Sequence, residues 1–179
     1  MIRKQQEDIQ IDCRAKPKLR TFIEIKNFFK IPAFLTLPMS YFFRSFISKA
    51  RLGCLPLRIE TARYSRPRIP AEERYCQICE NVDNSVECIY HFMFVCNTYS
   101  NERLTWKSKL QLPDHFNLFT KKEKLITVLS EACNVKATAR FISIAFDKRS
   151  KLVKTAQSNI YHTDPPEDCL ACKENGYLF

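Results

Sequence analysis

Apolar residues recur at helical spacing from Leu19 onward, where Phe22, Ile23, Ile25, Phe28 and Phe29 predict an amphipathic helix that starts at Lys18 and ends near Ile31-Pro32. After a proline-interrupted turn, Ser40 is placed to cap a second helix through about Leu52, with Phe43, Phe46, Ile47 and Ala50 on one face. Gly53 stands where the end of that helix needs a left-handed residue. Residues 55–59 read as short and extended, and Ser65-Arg-Pro-Arg-Ile-Pro70 as a rigid loop. Further on, residues 101–110 predict a helix that offers Leu104, Trp106 and Leu110 to a core and stops before Pro113. Lys121 to Cys133 predicts another, with Leu125, Ile126, Val128 and Leu129 as its apolar face. Val135 to about Lys154 is the longest, burying Phe141, Ile142, Ile144, Ala145 and Phe146 and leaving Lys148, Arg149, Lys151 and Lys154 outside. No segment repeats.

Composition agrees with a mainly α fold. Gly occurs only twice in 179 residues, which disfavours tight hairpins, phosphate-cradling loops and dinucleotide fingerprints, all of which need positive φ or close backbone approach. A hydrophobic share of 45%, with 14 Phe and 7 Tyr, is enough for a real core. The expected organisation is a flexible leader over 1–15, a small helical domain over 16–155 with a zinc finger inserted at 71–99, and an irregular tail over 156–179. The longest apolar run, 31–47, contains Pro32 and Pro38 and meets Arg44, so it predicts no membrane span. Nine cysteines are an odd number, and the charged start lacks an apolar signal segment, which points to a reducing intracellular compartment, nucleus or cytoplasm.

The cysteines carry the candidate chemistry. Cys76, Cys79, His91 and Cys96 follow the pattern C-x2-C-x11-H-x4-C, a Cys3His set of the kind that holds one tetrahedral Zn²⁺. The two-residue gap lets Cys76 and Cys79 share an ion from one tight loop, and a helix begun by Phe92 to Val95 would bring His91 and Cys96 to its other side. Polar, turn-rich residues 80–85 separate the two halves. Cys88 lies three residues before His91 and is kept outside the set. Four protein ligands leave no open position, so the ion is expected to be structural. A second pair, Cys169 and Cys172, has only His162 nearby and lacks a fourth ligand.

Charge is uneven. Residues 1–75 hold 16 Lys+Arg against 7 Asp+Glu, whereas the rest of the chain is nearly balanced within a net charge of +10. Arg51, Arg58, Arg63, Arg66, Arg68 and Arg74 precede or enter the finger and are the candidate nucleic-acid contacts, because a guanidinium fork pairs with phosphate and stacks on bases. RNA or single-stranded DNA is the expected partner, bound with little sequence preference. Part of this charge, from Arg74 and Arg103, is also placed to offset three thiolates on one Zn²⁺. The alternative is a zinc-stabilised adaptor whose Phe-rich helices over 19–29 and 40–52 dock a protein partner.

Taken as a linear pattern, residues 51–60 (RLGCLPLRIE), Arg63-Tyr64, Ile69-Pro70, Glu73-Arg74, Cys76, Cys79, Glu87, His91-Phe92, Cys96 and Tyr99 resemble the zinc-binding segment that follows the reverse-transcriptase domain in non-LTR (LINE-type) retrotransposon polyproteins. The likeness runs from about Lys16 to Lys154. It departs where acidic residues usually precede the histidine, here reduced to Glu87, and at Asn97, where proline is common. The resemblance implies an accessory region that helps hold template RNA or target DNA. It does not imply an enzyme: no Tyr/Phe-Ala-Asp-Asp stretch is present, and Asp114, Glu123, Asp147 and Glu167 form no paired-carboxylate arrangement.

Overall fold

Ser40 begins the helix that organises one side of the molecule. Its hydroxyl accepts from Phe43 N at 3.4 Å, which answers one of the free amides of the first turn. At the other end Gly53 adopts φ 71°, its N–H bonds Ala50 O at 3.2 Å, and Cys54 N bonds Lys49 O at 2.8 Å. Those two bonds form a Schellman closure, which a residue with a Cβ would enter only at a steric cost.

The computed structural model describes residues 7–8, 11, 16, 19–25, 31–79 and 85–161. Among them the α-helices are α1 (Arg20–Ile25), α2 (Ala33–Thr36), α3 (Tyr41–Leu52), α4 (Arg58–Thr61), α5 (Ser100–Lys107), α6 (Lys121–Ser130) and α7 (Ala132–Tyr161). No strand occurs among them, only one isolated antiparallel bridge between Tyr75 and Val86. The expected leader and the second half of the first helix, residues 26–30, fall largely or wholly outside the described residues, and so do His162, Cys169 and Cys172. No helix among the described residues is long and apolar enough to cross a membrane.

The 30-residue α7 is the spine, with α3, α5, α6 and α2 packed along it and α1 lying on α3 and α6. Ile47, Ala50, Leu125, Val128, Leu129, Val135, Phe141, Ile142 and Ala145 form the shared core. Trp106 joins it by stacking on Phe141 at 4.4 Å and 11°, an arrangement that adds about 0.5–1.5 kcal/mol to simple burial.

The helix expected over Lys121–Cys133 ends instead at Ser130, and α7 begins at Ala132. Glu131 is extended, with ψ 130°, and two buried polar groups explain why the break is tolerated. Arg51 Nη1 donates to Leu129 O at 2.7 Å and to Ser130 Oγ at 2.6 Å, placing a cation on the negative end of α6. Asn134 Nδ2 donates to Thr127 O at 3.2 Å and to Gln111 O at 3.1 Å, while Asn134 Oδ1 accepts from Gln111 N.

Other expectations change as well. Residues 55–59 are not a continuous extended stretch, because α4 starts at Arg58, whose N–H is capped by Glu87 Oε2 at 2.7 Å. Leu104 is 69% exposed and Ile144 52%, so neither joins the core. The long helix continues past 155 to Tyr161, across the boundary expected for an irregular tail. Lys148 and Arg149, expected outside, are both engaged: Lys148 Nζ bonds Thr98 O and Glu102 Oε1, and Arg149 pairs with Glu87.

Candidate metal centre

A short ribbon aims the first half of the site. Cys76 N donates to Ser85 O at 3.0 Å and Glu87 N to Arg74 O at 3.0 Å, on either side of the Tyr75–Val86 bridge. These bonds hold together the base of the loop from which Cys76 and Cys79 project, while 80–84 lie outside the described residues.

The second half depends on a wide helical turn. Residues His91–Val95 form a π-helical turn, closed by Cys96 N donating to His91 O at 2.8 Å. In an α-helix, residues five apart point roughly 140° away from each other, from 3.6 residues per turn. A turn closed by an i→i+5 bond brings them back over one another. The x4 spacing of His91 and Cys96 is therefore served by this turn and not by the α-helix the sequence predicted.

Together the two halves place Cys76, Cys79, His91 and Cys96 so that one ligand atom from each lies within 4.8 Å of all the others. Cys79 Sγ is 3.3 Å from His91 Nε2. Two sulfurs on one tetrahedral Zn²⁺ sit about 3.8 Å apart, given Zn–S bonds of about 2.3 Å, so the group is on the scale of a single ion. It is a set of residues that could hold a metal ion. Cys88 lies outside it, as expected.

Electrostatics point the same way. The hydrogen bond from Cys96 pushes the Cys76 thiol down to about 3, against the opposing effect of burial, while the same bond and then burial push Cys96 up. The two thiols are thus pushed in opposite directions by their contact. Arg103 supplies fixed positive charge nearby. It is buried, and it donates through Nε to Met93 O at 2.8 Å and through Nη2 to Cys96 O at 2.6 Å, which also satisfies carbonyls of the π turn. Thr98 Oγ1 donates to Ile78 O at 3.3 Å and ties the two halves together. His91 Nδ1 is buried with no partner among the described residues, so no hydrogen bond at that nitrogen fixes the ring tautomer.

The six arginines expected on a nucleic-acid surface divide into three groups. Arg51 and Arg74 are 8% and 4% exposed and face inward, which corrects their assignment as contacts. Arg51 closes α6 as described, and Arg74 donates to Ile59 O at 2.7 Å and to Ile69 O at 2.8 and 3.0 Å, bracing the segment before the finger. Arg63 is paired with Glu60 at 3.1 Å, and Arg58 is partly buried on α4. Arg66 and Arg68 remain exposed, either side of Pro67 in the loop that precedes Cys76.

Glu87 is the residue whose importance the sequence hid. It is 2% exposed, caps α4 through Arg58 N and receives Arg149 through Nε at 2.7 Å and Nη2 at 2.8 Å. Burial opposes the charge on Arg149, but its bonds and attraction to Glu87 outweigh that and raise its pKa. The finger is thereby anchored to α7. In sequence it stood as a lone acid between the two ligand pairs and as one residue of the resemblance, with nothing to point to Arg58 or Arg149 as its partners. Compared with protein-family models, curated proteins and solved structures, the chain matches none.

Proposed function

We propose that this chain is a zinc-stabilised helical module that binds RNA or single-stranded DNA through its phosphates, an accessory of the kind that follows the reverse transcriptase in non-LTR retrotransposon polyproteins. The observation that carries the reading is the four-ligand group within 4.8 Å, reached from two separate segments and braced by Arg103. Three sulfurs and one imidazole suit Zn²⁺ better than hard cations, which prefer oxygen. With all four positions filled by protein, such an ion holds structure and activates no water.

Nucleic-acid binding is supported by the net charge of +10 and by exposed Arg66 and Arg68 in the loop before the finger. The test is retention of single-stranded RNA by the zinc-loaded protein as salt is raised, compared with the Arg66→Ala/Arg68→Ala variant. The parent should bind at low salt and the variant more weakly. Equal binding, or none by the parent, would remove the reading.

A second reading, an adaptor for a protein partner, is favoured by Tyr41 and Phe42, which are 87% and 56% exposed at the start of α3. Capture of specific protein partners after nuclease treatment, lost in Tyr41→Ser/Phe42→Ser, would support it over strand binding.

A further inference from the structure

Between α5 and α7 lies a cleft of about 280 Å3 that the metal centre and the arginine loop do not use. Its apolar part comes from Trp106, Phe141, Ala137 and Ile144. The indole N–H is already given to Thr138 Oγ1 at 3.2 Å, so this wall offers ring and methyl surface with no unanswered donor. Ile144, half exposed, is the apolar group an occupant would cover.

The polar lining comes from both helices as well. Asn101, Glu102, Lys109 and Arg140 supply it. Glu102 pairs through Oε1 with Lys148 at 2.9 Å and keeps a buried Oε2 with no partner among the described residues, whereas Lys109 and Arg140 are exposed and in no ion pair among those residues. The apolar lining therefore shares the cleft with two uncommitted cations and an amide. That combination complements an anion carrying a flat apolar ring. The volume lies just below the usual range for small-molecule sites, about 300–1,000 Å3, which fits one ring system and not a folded chain.

The geometry points to this cleft as a site for one unpaired nucleotide of a single strand, its base against Ile144 and the edges of Trp106 and Phe141, its phosphate held by Lys109 and Arg140. Single-stranded bases are commonly splayed out and packed on aromatic and apolar side chains in this way. Asn101 faces the edge of the base, where a side-chain amide can exchange two hydrogen bonds with adenine. The inference rests on the strand-binding reading for its choice of a nucleotide, and it places a second contact away from Arg66 and Arg68 in the chain.

Trp106 is the only tryptophan, so its emission reports on this cleft. Adenosine 5′-monophosphate, titrated into the zinc-loaded full chain with excitation beyond nucleotide absorption, should change that emission saturably. Adenosine and inorganic phosphate should each bind more weakly. Lys109→Ala/Arg140→Ala should weaken the response about tenfold or more, because charge-assisted bonds to the phosphate are lost. Both side chains are exposed, so an unchanged unfolding midpoint is expected alongside. No emission change, an equal response from the double variant, or decanoate matching the nucleotide would overturn the assignment. Retention of RNA without a nucleotide response would overturn this inference and leave the strand-binding reading standing; a nucleotide response without RNA retention would overturn the strand-binding reading and, with it, the assignment of the cleft to a strand.

Discussion

Arg149 and Glu87, 62 residues apart in the chain, meet in two hydrogen bonds of 2.7 and 2.8 Å, and this pair fastens the loop of the candidate metal ligands to the longest helix. Both side chains are nearly closed to solvent, at 12% and 2% exposure. Removing one partner leaves the other as an uncompensated buried charge, which costs about 3–5 kcal/mol. Glu87→Ala should therefore lower stability by about that amount in urea unfolding, and Glu87→Gln by less, since the amide oxygen still accepts. The alanine variant should also release its metal faster to a chelator. A loss below about 1 kcal/mol would show that the pair is not the anchor described.

Arg51→Met tests the closure of α6. The substitution keeps most of the stem but withdraws the donor to Leu129 O and Ser130 Oγ and the cation 5.5 Å from the Phe34 ring centroid. A buried carbonyl left without a partner costs about 1–3 kcal/mol. Thermal unfolding should shift down accordingly, while binding of single strands should be unchanged if Arg51 is a structural residue.

Two carboxylates make stability fall in acid. At Glu102 burial works upward, yet the bond from Lys148 and neighbouring contacts hold it below 4.5; at Glu123 the bonds from Thr120 do the same. Because the folded-state values lie below the unfolded one, the contribution is complete above pH 4.5 and is lost as the pH falls through the depressed values. The cost of Lys148→Met, measured by urea unfolding, should accordingly shrink as the pH drops below 4.5. Thr120→Ala, which removes the capping box of α6, should cost about 1 kcal/mol at neutral pH.

What the sequence made legible is local. Ser40 and Gly53 announce the ends of α3 because caps are answered within a few residues, and the ligand spacing announces Cys76, Cys79, His91 and Cys96 because each half-site is one short segment. What it concealed depends on partners far away. Arg51 and Arg74 read as surface cations until the carbonyls of Leu129, Ile59 and Ile69 are brought to them. Helical periodicity put Leu104 and Ile144 inside, but α5 and α7 leave both on open faces. The π turn at His91 follows from a bond between residues five apart, which an α-helical period does not express.

The proposed strand binding predicts a salt signature. Each phosphate contact on a single strand contributes a slope of about −0.7 in log affinity against log salt. If Arg66 and Arg68 each hold one phosphate, Arg66→Ala/Arg68→Ala should flatten the slope by about 1.4. A weaker variant with an unchanged slope would mean the two residues act indirectly.

Metal content tests the central claim most directly. Protein expressed in zinc-supplemented medium and purified without chelator should carry one Zn²⁺ per chain by elemental analysis. Cys79→Ser should abolish that content and lower the unfolding midpoint, because the free energy of binding in such a site is free energy of folding. A parent that carries no metal, and whose unfolding midpoint is the same with and without chelator, would contradict the account.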